Sequence, residues 1–150
     1  DTYSLYNLYR FAHYYEEAYG KYIWLKSGAS LVIEHTEAMT VIDVNTGSVL
    51  KKKKQEDTLF YQINREAAKE IARQLRLRNI SGIIMIDFIN MKDTAQKEKL
   101  LSLLDSECKK DRVHCNVIDM TALNLVEMTR SKVRKPLHEQ IRSCMKNNRS

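Results

Sequence analysis

The sequence predicts an α/β domain in which a mixed β-sheet is flanked by helices. Short apolar, β-branched stretches alternate with longer segments whose apolar residues repeat at helical spacing. The first two of these stretches are separated only by a Gly-containing turn, so they form a hairpin and the sheet cannot be all parallel. The chain has 150 residues, of which 43% are hydrophobic, and this is enough for one buried core.

The chain begins with a segment whose apolar residues lie on one side of a helix. This pattern covers residues 3–19 and stops at Gly20, so it predicts an N-terminal helix leading into the domain over residues 1–21. Two apolar stretches, 22–26 and 30–34, then flank a Ser-Gly-Ala turn and predict a β-hairpin.

A third strand, a long helix and a fourth strand follow in that order. Residues 39–45 are apolar and β-branched, which is typical of a strand in the middle of a sheet. Residues 57–78 carry an apolar residue at every fourth position and predict a helix with one buried stripe. Residues 83–89 follow Gly82 and predict the next strand.

The last part of the sequence predicts one helix and two strands. Asp93 is a candidate N-cap, and Gln96 stands three residues later, as in a capping box. Residues 113–118 and 123–130 predict two more strands, which gives the order αβββαβαββ. Pro136 precedes a polar C-terminal segment that either forms a short helix or frays.

The charge of the chain favours a polyanionic partner. The net charge is +6 at pH 7 and the isoelectric point is about 9.2, which favours nucleic acid. The positive charge is concentrated at residues 51–54 and 129–135, although such runs are equally often solvated loops. No apolar run is long enough to span a membrane, and no signal peptide is evident.

The cysteines indicate a reducing compartment. Cys108, Cys115 and Cys144 are an odd number without Cys-x-x-Cys spacing, so we expect neither a disulfide framework nor a zinc site made by this chain alone. Reduced thiols predict a cytoplasmic protein. Because the sequence begins with Asp1 rather than methionine, we expect an excised domain of a longer protein.

Two apolar strands each contain an aspartate, and these are the candidate catalytic residues. Asp43 lies in "TVIDVN" and Asp87 in "IIMIDFI". A carboxylate in an apolar strand is costly unless it is paired or binds a cation; the structural alternative is a strand end that already reaches solvent. If the two strands are parallel neighbours, both carboxylates lie at the edge where open α/β sheets bind ligands. Asn45 shares a face with Asp43 and is expected to orient a carboxylate or a metal-bound water.

Two adjacent carboxylates repel each other, and a divalent cation relieves that repulsion. Magnesium is typically bound by one or two carboxylates together with water and phosphate oxygens. The residues alone therefore indicate metal-assisted hydrolysis of a phosphodiester. The sequence contains no GxSxG, P-loop, GxGxxG or HExxH motif that would indicate another chemistry. His35 and His114 are in or near strands, where surface or core positions are more common than metal ligands.

Four motifs give the chain a family resemblance. In this order, "WLKSGASLVIEHTEAMTVIDVNTG", "NREAAKEIARQLRLRN", "GIIMIDFINM" and "LNLVEMTRSKVRKPL" resemble the catalytic domain of ribonucleases E and G. The resemblance covers residues 22–137 and leaves 138–150 as a polar tail. It implies a deoxyribonuclease-I-like fold and magnesium-dependent endonucleolytic cleavage of single-stranded RNA, of the kind used in rRNA processing and mRNA decay. The products implied are a 5′-phosphate and a 3′-hydroxyl.

The resemblance also implies roles for individual residues. Asp43 and Asp87 match the family's metal-binding aspartates, and Asn45 matches the asparagine that supports the first of them. Magnesium is the implied metal, and manganese is expected to substitute for it. Lys52, Arg112 and His114 are candidate RNA contacts, although His114 stands where the family often has a basic residue.

The sequence departs from the family pattern in several places. Asn90 in "IDFINM" replaces the usual aspartate, and Arg65 in "NREAA" replaces leucine. The family's S1 RNA-binding domain, with its inserted 5′-end sensor, is expected in the remainder of a longer protein. The family's zinc link, a Cys-x-x-Cys shared by two subunits, is not supported, because Cys144 stands alone after "KPL". Homo-oligomerisation is left open.

Three functions remain open at this stage. The first is the catalytic domain of an RNA endonuclease, with feeble activity in isolation because no S1 domain holds the substrate. The second is a catalytically weak or inactive RNA-binding or assembly module of the same fold, whose binding falls with salt and needs no magnesium. The third is a nuclease that acts on DNA.

Overall fold

The described part of the chain contains a six-stranded sheet and two long helices. The computed structural model describes residues 19–47, 49 and 56–132, together with 10, 13, 138, 141, 142, 144 and 145. The elements are β1 (Tyr22–Trp24), β2 (Ser30–His35), β3 (Thr40–Asn45), α1 (Glu56–Leu77), β4 (Gly82–Asp87), α2 (Thr94–Cys108), β5 (Cys115–Met120) and β6 (Leu125–Arg130).

All six strands belong to one mixed sheet with the order β1-β2-β3-β4-β6-β5. β3 and β4 are parallel, whereas every other neighbouring pair is antiparallel. The parallel pair requires a crossover, and α1 provides it. The predicted mixed α/β class and the order βββαβαββ are therefore confirmed, and they agree with a deoxyribonuclease-I-like fold.

Predictions at the two ends of the chain fall largely outside the described residues. Within the predicted N-terminal helix, only Arg10, His13 and Tyr19 are described, and all three are helical. The lysine run 51–54, including Lys52, lies outside. Beyond Pro136, the described residues are also helical: His138, Ile141, Arg142, Cys144 and Met145.

One face of the sheet packs against both helices. Alternate residues of the central strands β3, β4 and β6 are buried on this face, including Ile42 and Ile84, and the buried stripe of α1 covers them. α2 completes the same core with Leu100 and Leu104, which are fully buried. Apolar burial on this scale is the main source of stability. The intervening residues, such as the exposed Ile83, project from the opposite face, which we call the open face.

β1 and β6 are each shorter than the sequence predicts, because backbone hydrogen bonds form turns next to them. β1 stops at Trp24 rather than at residue 26, since Leu25 closes the hairpin turn through bonds with Gly28 and Ala29. β6 starts at Leu125 rather than at residue 123, because the preceding residues form a turn.

The predicted start of β5 is wrong by two residues. β5 begins at Cys115 rather than at residue 113. The backbone N–H of Val113 donates to Asp111 Oδ1 at 3.0 Å, which forms an Asx turn in place of a strand.

The N-terminus of α2 agrees with the sequence only in part. Asp93 is the N-cap, and its carboxylate accepts a hydrogen bond from the Ala95 N–H at 2.8 Å. The predicted capping box is wrong: Gln96 Oε1 is buried and has no hydrogen-bond partner in the described ranges. The cap therefore consists of the aspartate alone.

The described residues contain no helix that is both long and apolar enough to cross a membrane. Cys108, Cys115 and Cys144 are free thiols; Cys108 is buried and Cys144 is exposed.

A buried ion pair joins three segments at one end of the sheet. Arg130 Nε donates to Asp111 Oδ2 at 2.9 Å, and the two side chains are only 3% and 5% exposed. Arg130 also donates to Asn79 Oδ1 at 2.9 Å and to the Ile80 carbonyl at 3.1 Å. The pair thus ties the end of β6 to the end of α1 and to the turn before β5.

The protonation of Asp111 couples this ion pair to pH. Burial alone would raise the pKa of Asp111, but hydrogen bonds from Arg130 and from the Val113 N–H leave it below its usual value. A lowered pKa in the folded state means that the stabilisation is present above the unfolded-state pKa. It is lost as the pH falls through the folded-state pKa.

We expect Asp111→Ala to lower the free energy of unfolding by about 3–5 kcal/mol at pH 7, because Arg130 would remain buried without its counter-ion. Urea-induced unfolding measures this change. The control is Lys109→Ala, which removes the exposed ion pair between Lys109 and Asp105 and should change stability by less than about 1 kcal/mol. Equal effects of the two variants would contradict a structural role for the buried pair.

Candidate active site

The structure brings Asp43 and Asp87 together. β3 and β4 are parallel neighbours, and Asp43 is the direct cross-strand partner of Asp87. Adjacent strands lie about 4.8 Å apart, and partners in one register project on the same face. Asp87 is the last residue of β4 and is exposed, whereas Asp43 is half-buried. The two carboxylates therefore lie side by side at the carboxyl ends of parallel strands.

The surroundings of Asp43 make its negative charge unfavourable. Burial raises the pKa of Asp43, and the negative charge of Asp87 raises it further. Hydrogen bonds from the Asn45 side chain and from the Val44 N–H act in the opposite direction without reversing the shift. Asn45 thus contacts Asp43 and stabilises the carboxylate form.

A close backbone contact fixes the chain just beyond Asn45. Gly47 has a φ of +58°, and a Cβ atom at this position would lie 2.7 Å from the carbonyl oxygen of Gly28. Only glycine combines this backbone conformation with such a close approach. The end of β3 is therefore held against the turn of the β1–β2 hairpin.

Asn64 holds the segment that follows Asp87. Its Nδ2 donates to the Ile89 carbonyl at 2.8 Å, and its Oδ1 accepts from the Ile89 N–H at 3.0 Å. Ile89 therefore has no backbone group left for the sheet, which is why β4 ends at Asp87 rather than at residue 89 as predicted. Asn64 is fully buried in α1, so the core helix positions the chain two residues after a candidate catalytic residue.

The sequence contained a signal for Asn64 that the helical spacing of apolar residues does not include. Asn64 lies on the buried face of α1 with Ala68, Ile71 and Leu75. A polar residue inside an apolar stripe indicates a specific hydrogen-bonding partner in the core.

Comparison with known proteins identifies the family. The sequence profile of the Ribonuclease E/G family matches residues 1–133. The chain belongs to the ribonuclease E/G family. It is 45% identical over 122 residues to Ribonuclease G of Escherichia coli (strain K12), covering 81% of this chain and 25% of the relative.

Two further relatives show the same partial coverage. Identity to Ribonuclease G of Haemophilus influenzae is 44% over 133 residues, which is 89% of this chain and 27% of the relative. Identity to Ribonuclease E of Nostoc sp. is 42% over 115 residues, which is 77% of this chain and 17% of the relative. The chain thus spans about a quarter or less of the length of these ribonucleases.

Asn90, at a position where the motif resemblance leads us to expect aspartate, belongs to a polar network near Asp87. Asn124 donates to Asn90 Oδ1 at 3.4 Å, and Lys97 Nζ donates to Asn124 Oδ1 at 3.1 Å. Lys97 lies in the first turns of α2, so the network brings a cation from the helical layer to the end of the sheet that carries Asp87.

The structure does not bring the candidate RNA contacts Arg112 and His114 near the carboxylates. Arg130 pairs with Gly82, at the start of β4, and both candidates lie at that end of the sheet. They are separated from Asp87 by the length of β4, about 16 Å. There, Arg112 contributes to a basic pocket of about 520 Å³ together with Arg76, Lys110 and Arg130.

In the described residues, no third His, Cys, Asp or Glu side chain joins the aspartate pair. Within these ranges, no group of three or more His, Cys, Asp or Glu side chains converges. A cation at this site would therefore have two protein carboxylates and would complete its coordination with water or phosphate oxygens, as magnesium commonly does.

We expect Asn64→Leu to lower the free energy of unfolding by roughly 2–4 kcal/mol, because the Ile89 N–H and carbonyl would lose their buried partner. Urea-induced unfolding measures the loss. Asn116→Leu makes the same change at an exposed site in β5 and should shift stability by less than about 0.5 kcal/mol. A loss no larger than that of this control would contradict the role of Asn64.

We expect Asp87→Asn to lower the pKa of Asp43, because a neighbouring negative charge is removed. Asn45→Ala should raise that pKa further, since a hydrogen bond to the carboxylate is lost. NMR titration of the side-chain carboxyl carbons in metal-free buffer measures both. An unchanged Asp43 pKa in Asp87→Asn would show that the two carboxylates do not interact.

The raised pKa of Asp43 also predicts a gain in stability when its charge is removed. When the pKa of a carboxyl is higher in the folded state than in the unfolded state, its ionisation lowers the free energy of unfolding. This loss grows as the pH rises from the unfolded-state pKa through the folded-state pKa. Asp43→Asn should therefore raise the melting temperature at pH 7 relative to the parent chain, and by less at pH 3. A decrease at pH 7 would contradict this sign.

Proposed function

We propose that this chain is the catalytic part of a magnesium-dependent endoribonuclease that hydrolyses phosphodiester bonds in single-stranded RNA. The observation that carries the proposal is the direct cross-strand pairing of Asp43 with Asp87 in a chain of the ribonuclease E/G family. The family supports RNA as substrate. The resemblance of the motifs implies products with a 5′-phosphate and a 3′-hydroxyl, which we include in the proposal.

The residues present fit a magnesium ion. Asp43 and Asp87 would hold it, and Asn45 would orient the Asp43 carboxylate. The raised pKa of Asp43 is consistent with this fit, because burial and, after it, the negative charge of Asp87 disfavour the Asp43 carboxylate, which a cation would stabilise. When bound, magnesium or manganese would polarise the phosphate and supply a hydroxide nucleophile at neutral pH.

The charge distribution supports an RNA substrate. A chain with a net charge of +6 attracts a polyanion from a distance, whereas the aspartate pair repels phosphate until a cation is bound. Lys97, held close to the end of β4 by Asn124, adds positive charge on the helical side. Lys52, Arg112 and His114 remain proposed phosphate contacts, and the last two would extend the bound strand to the far end of the sheet.

The full-length protein is proposed to contain further RNA-binding elements. Because the chain spans about a quarter of its relatives, we propose that the rest includes the S1 domain and 5′-end sensor implied by the motifs. Homo-oligomerisation is part of this proposal, but a zinc link through this chain is not. Free thiols suit a cytoplasmic location.

A single-turnover cleavage assay tests the proposal. End-labelled single-stranded RNA is incubated with excess protein, which compensates for weak substrate binding by the isolated chain. We expect cleavage with magnesium and none with EDTA. Asp43→Asn and Asp87→Asn should each lower the rate at least about 100-fold, because each removes a carboxylate ligand of the metal.

Asp105→Asn is the matched control for this assay, because Asp105 is a carboxylate on the helical layer. It should leave the rate unchanged. Parent-like rates in both Asp43→Asn and Asp87→Asn would refute the two-aspartate site. Salt-sensitive RNA binding without cleavage in any metal would instead identify an RNA-binding module, and preferential cleavage of a matched DNA oligonucleotide would refute RNA as the substrate.

A further inference from the structure

Two large aromatic side chains are exposed on the edge strand β1. Tyr22 is 61% exposed and Trp24, the single tryptophan of the chain, is 72% exposed. They alternate with Ile23, which packs against the core, so both project from the open face. Exposed aromatic side chains next to each other on one strand are a common feature of binding surfaces.

The register of the sheet aligns these aromatic residues with the candidate active site. Tyr22 pairs with Val32 and Val32 pairs with Asp43, whose partner is Asp87. All four side chains therefore project from the open face in one row across four strands. With two strand spacings between them, Tyr22 and Asp43 are about 10 Å apart.

A second row runs beside the first. Trp24 pairs with Ser30, and Ser30 pairs with Asn45. The residues between the aromatic pair and the candidate site are thus small or short: Ser30 in one row and Val32 in the other. No bulky side chain from β2 stands in these rows, because Ser30 is buried and Val32 is half-buried.

Basic groups border the aromatic pair. A cleft of about 860 Å³ between β1 and α1 is lined by Lys26, Lys69 and Arg73, among other residues. Two acidic residues also line it: Glu66, which accepts a hydrogen bond from the Ser27 N–H at 3.3 Å, and Glu70, which pairs with Arg73 at 2.9 Å. With Arg76, four Lys and Arg side chains and two Glu side chains line the cleft, so its net charge is positive, which favours a polyanion.

We propose that Tyr22 and Trp24 form a base-stacking platform that binds unpaired bases of an RNA strand crossing the open face towards Asp43 and Asp87. The proposal rests on the proposed ribonuclease function and adds a binding subsite to it. Aromatic side chains stack on any base, because every base has a π-face, so the platform tolerates many sequences. Bases within a duplex are already stacked and paired, so the platform selects single strands.

Trp24 provides the readout for the test. The intrinsic fluorescence of the chain is titrated, in EDTA, with an eight-nucleotide oligoadenylate and with an abasic oligomer of the same length. We expect oligoadenylate to quench the tryptophan emission and the abasic oligomer, which has only the sugar-phosphate backbone, to leave it unchanged. Because EDTA removes the metal, this measurement does not depend on catalysis.

Binding by variants tests the same platform without relying on Trp24 emission. Anisotropy of labelled oligoadenylate should show that Trp24→Leu and Tyr22→Leu each weaken binding about tenfold. Their dependence on salt should match the parent chain, since no charge is removed. Ile118→Ala is the control, because it alters an exposed apolar residue of β5 at the opposite edge of the sheet and should leave affinity unchanged.

Several results would overturn the platform. These are equal affinity for the abasic oligomer, unchanged affinity in Trp24→Leu, or no binding of either oligomer. Trp24 emission that changes with protein concentration in the absence of RNA would assign the surface to a second copy of the chain. If affinity is unchanged in Trp24→Leu while magnesium-dependent cleavage requires Asp43, the platform fails and the proposed ribonuclease function stands.

Discussion

The parallel pairing of β3 with β4 is the constraint on which the rest of the structure depends. Parallel strands need a crossover, and α1 supplies it on one face while burying the alternate residues of both strands. Because side chains alternate, burying Ile42 and Ile86 forces Asp43 and Asp87 to the other face. A slip of one residue in either strand would move its core residues to the outer face and its aspartate into the core. The register that packs the core is therefore the same register that places the two carboxylates side by side.

Specific polar contacts hold the two ends of this strand pair. At the carboxyl end, Asn64 binds the backbone of Ile89, and Gly47 lies against Gly28. At the opposite end, buried Arg130 pairs with Asp111. These contacts fix the backbone around Asp43, whose ionised form is disfavoured by burial and by the negative charge of Asp87, so that its pKa is raised. The candidate site is therefore supported by groups that lie outside it.

Local patterns in the sequence predicted the strands and helices. Features that depend on strand order or on side-chain contacts between distant residues were not predicted. Alternation and helical spacing identified the described strands and both helices, and the interrupted apolar strands identified Asp43 and Asp87. The end of β4 was missed because a side chain, Asn64, takes over hydrogen bonds that a strand would make. The distance of Arg112 from Asp87 was not predicted either, because β6 inserts between β4 and β5, an order that no local pattern reveals. Likewise, no pattern showed that Tyr22 lies on an edge strand.

The placement of α1 and α2 on one face separates the side chains that form the core from those that are available to a ligand. Successive residues of a single strand therefore have different roles: Ile42 and Val44 pack in the core, whereas Asp43 and Asn45 face outward. Side chains on the outward face can be exchanged without repacking the interior. Such a one-sided sheet can acquire new substrate preferences by small steps at its surface while its scaffold stays constant.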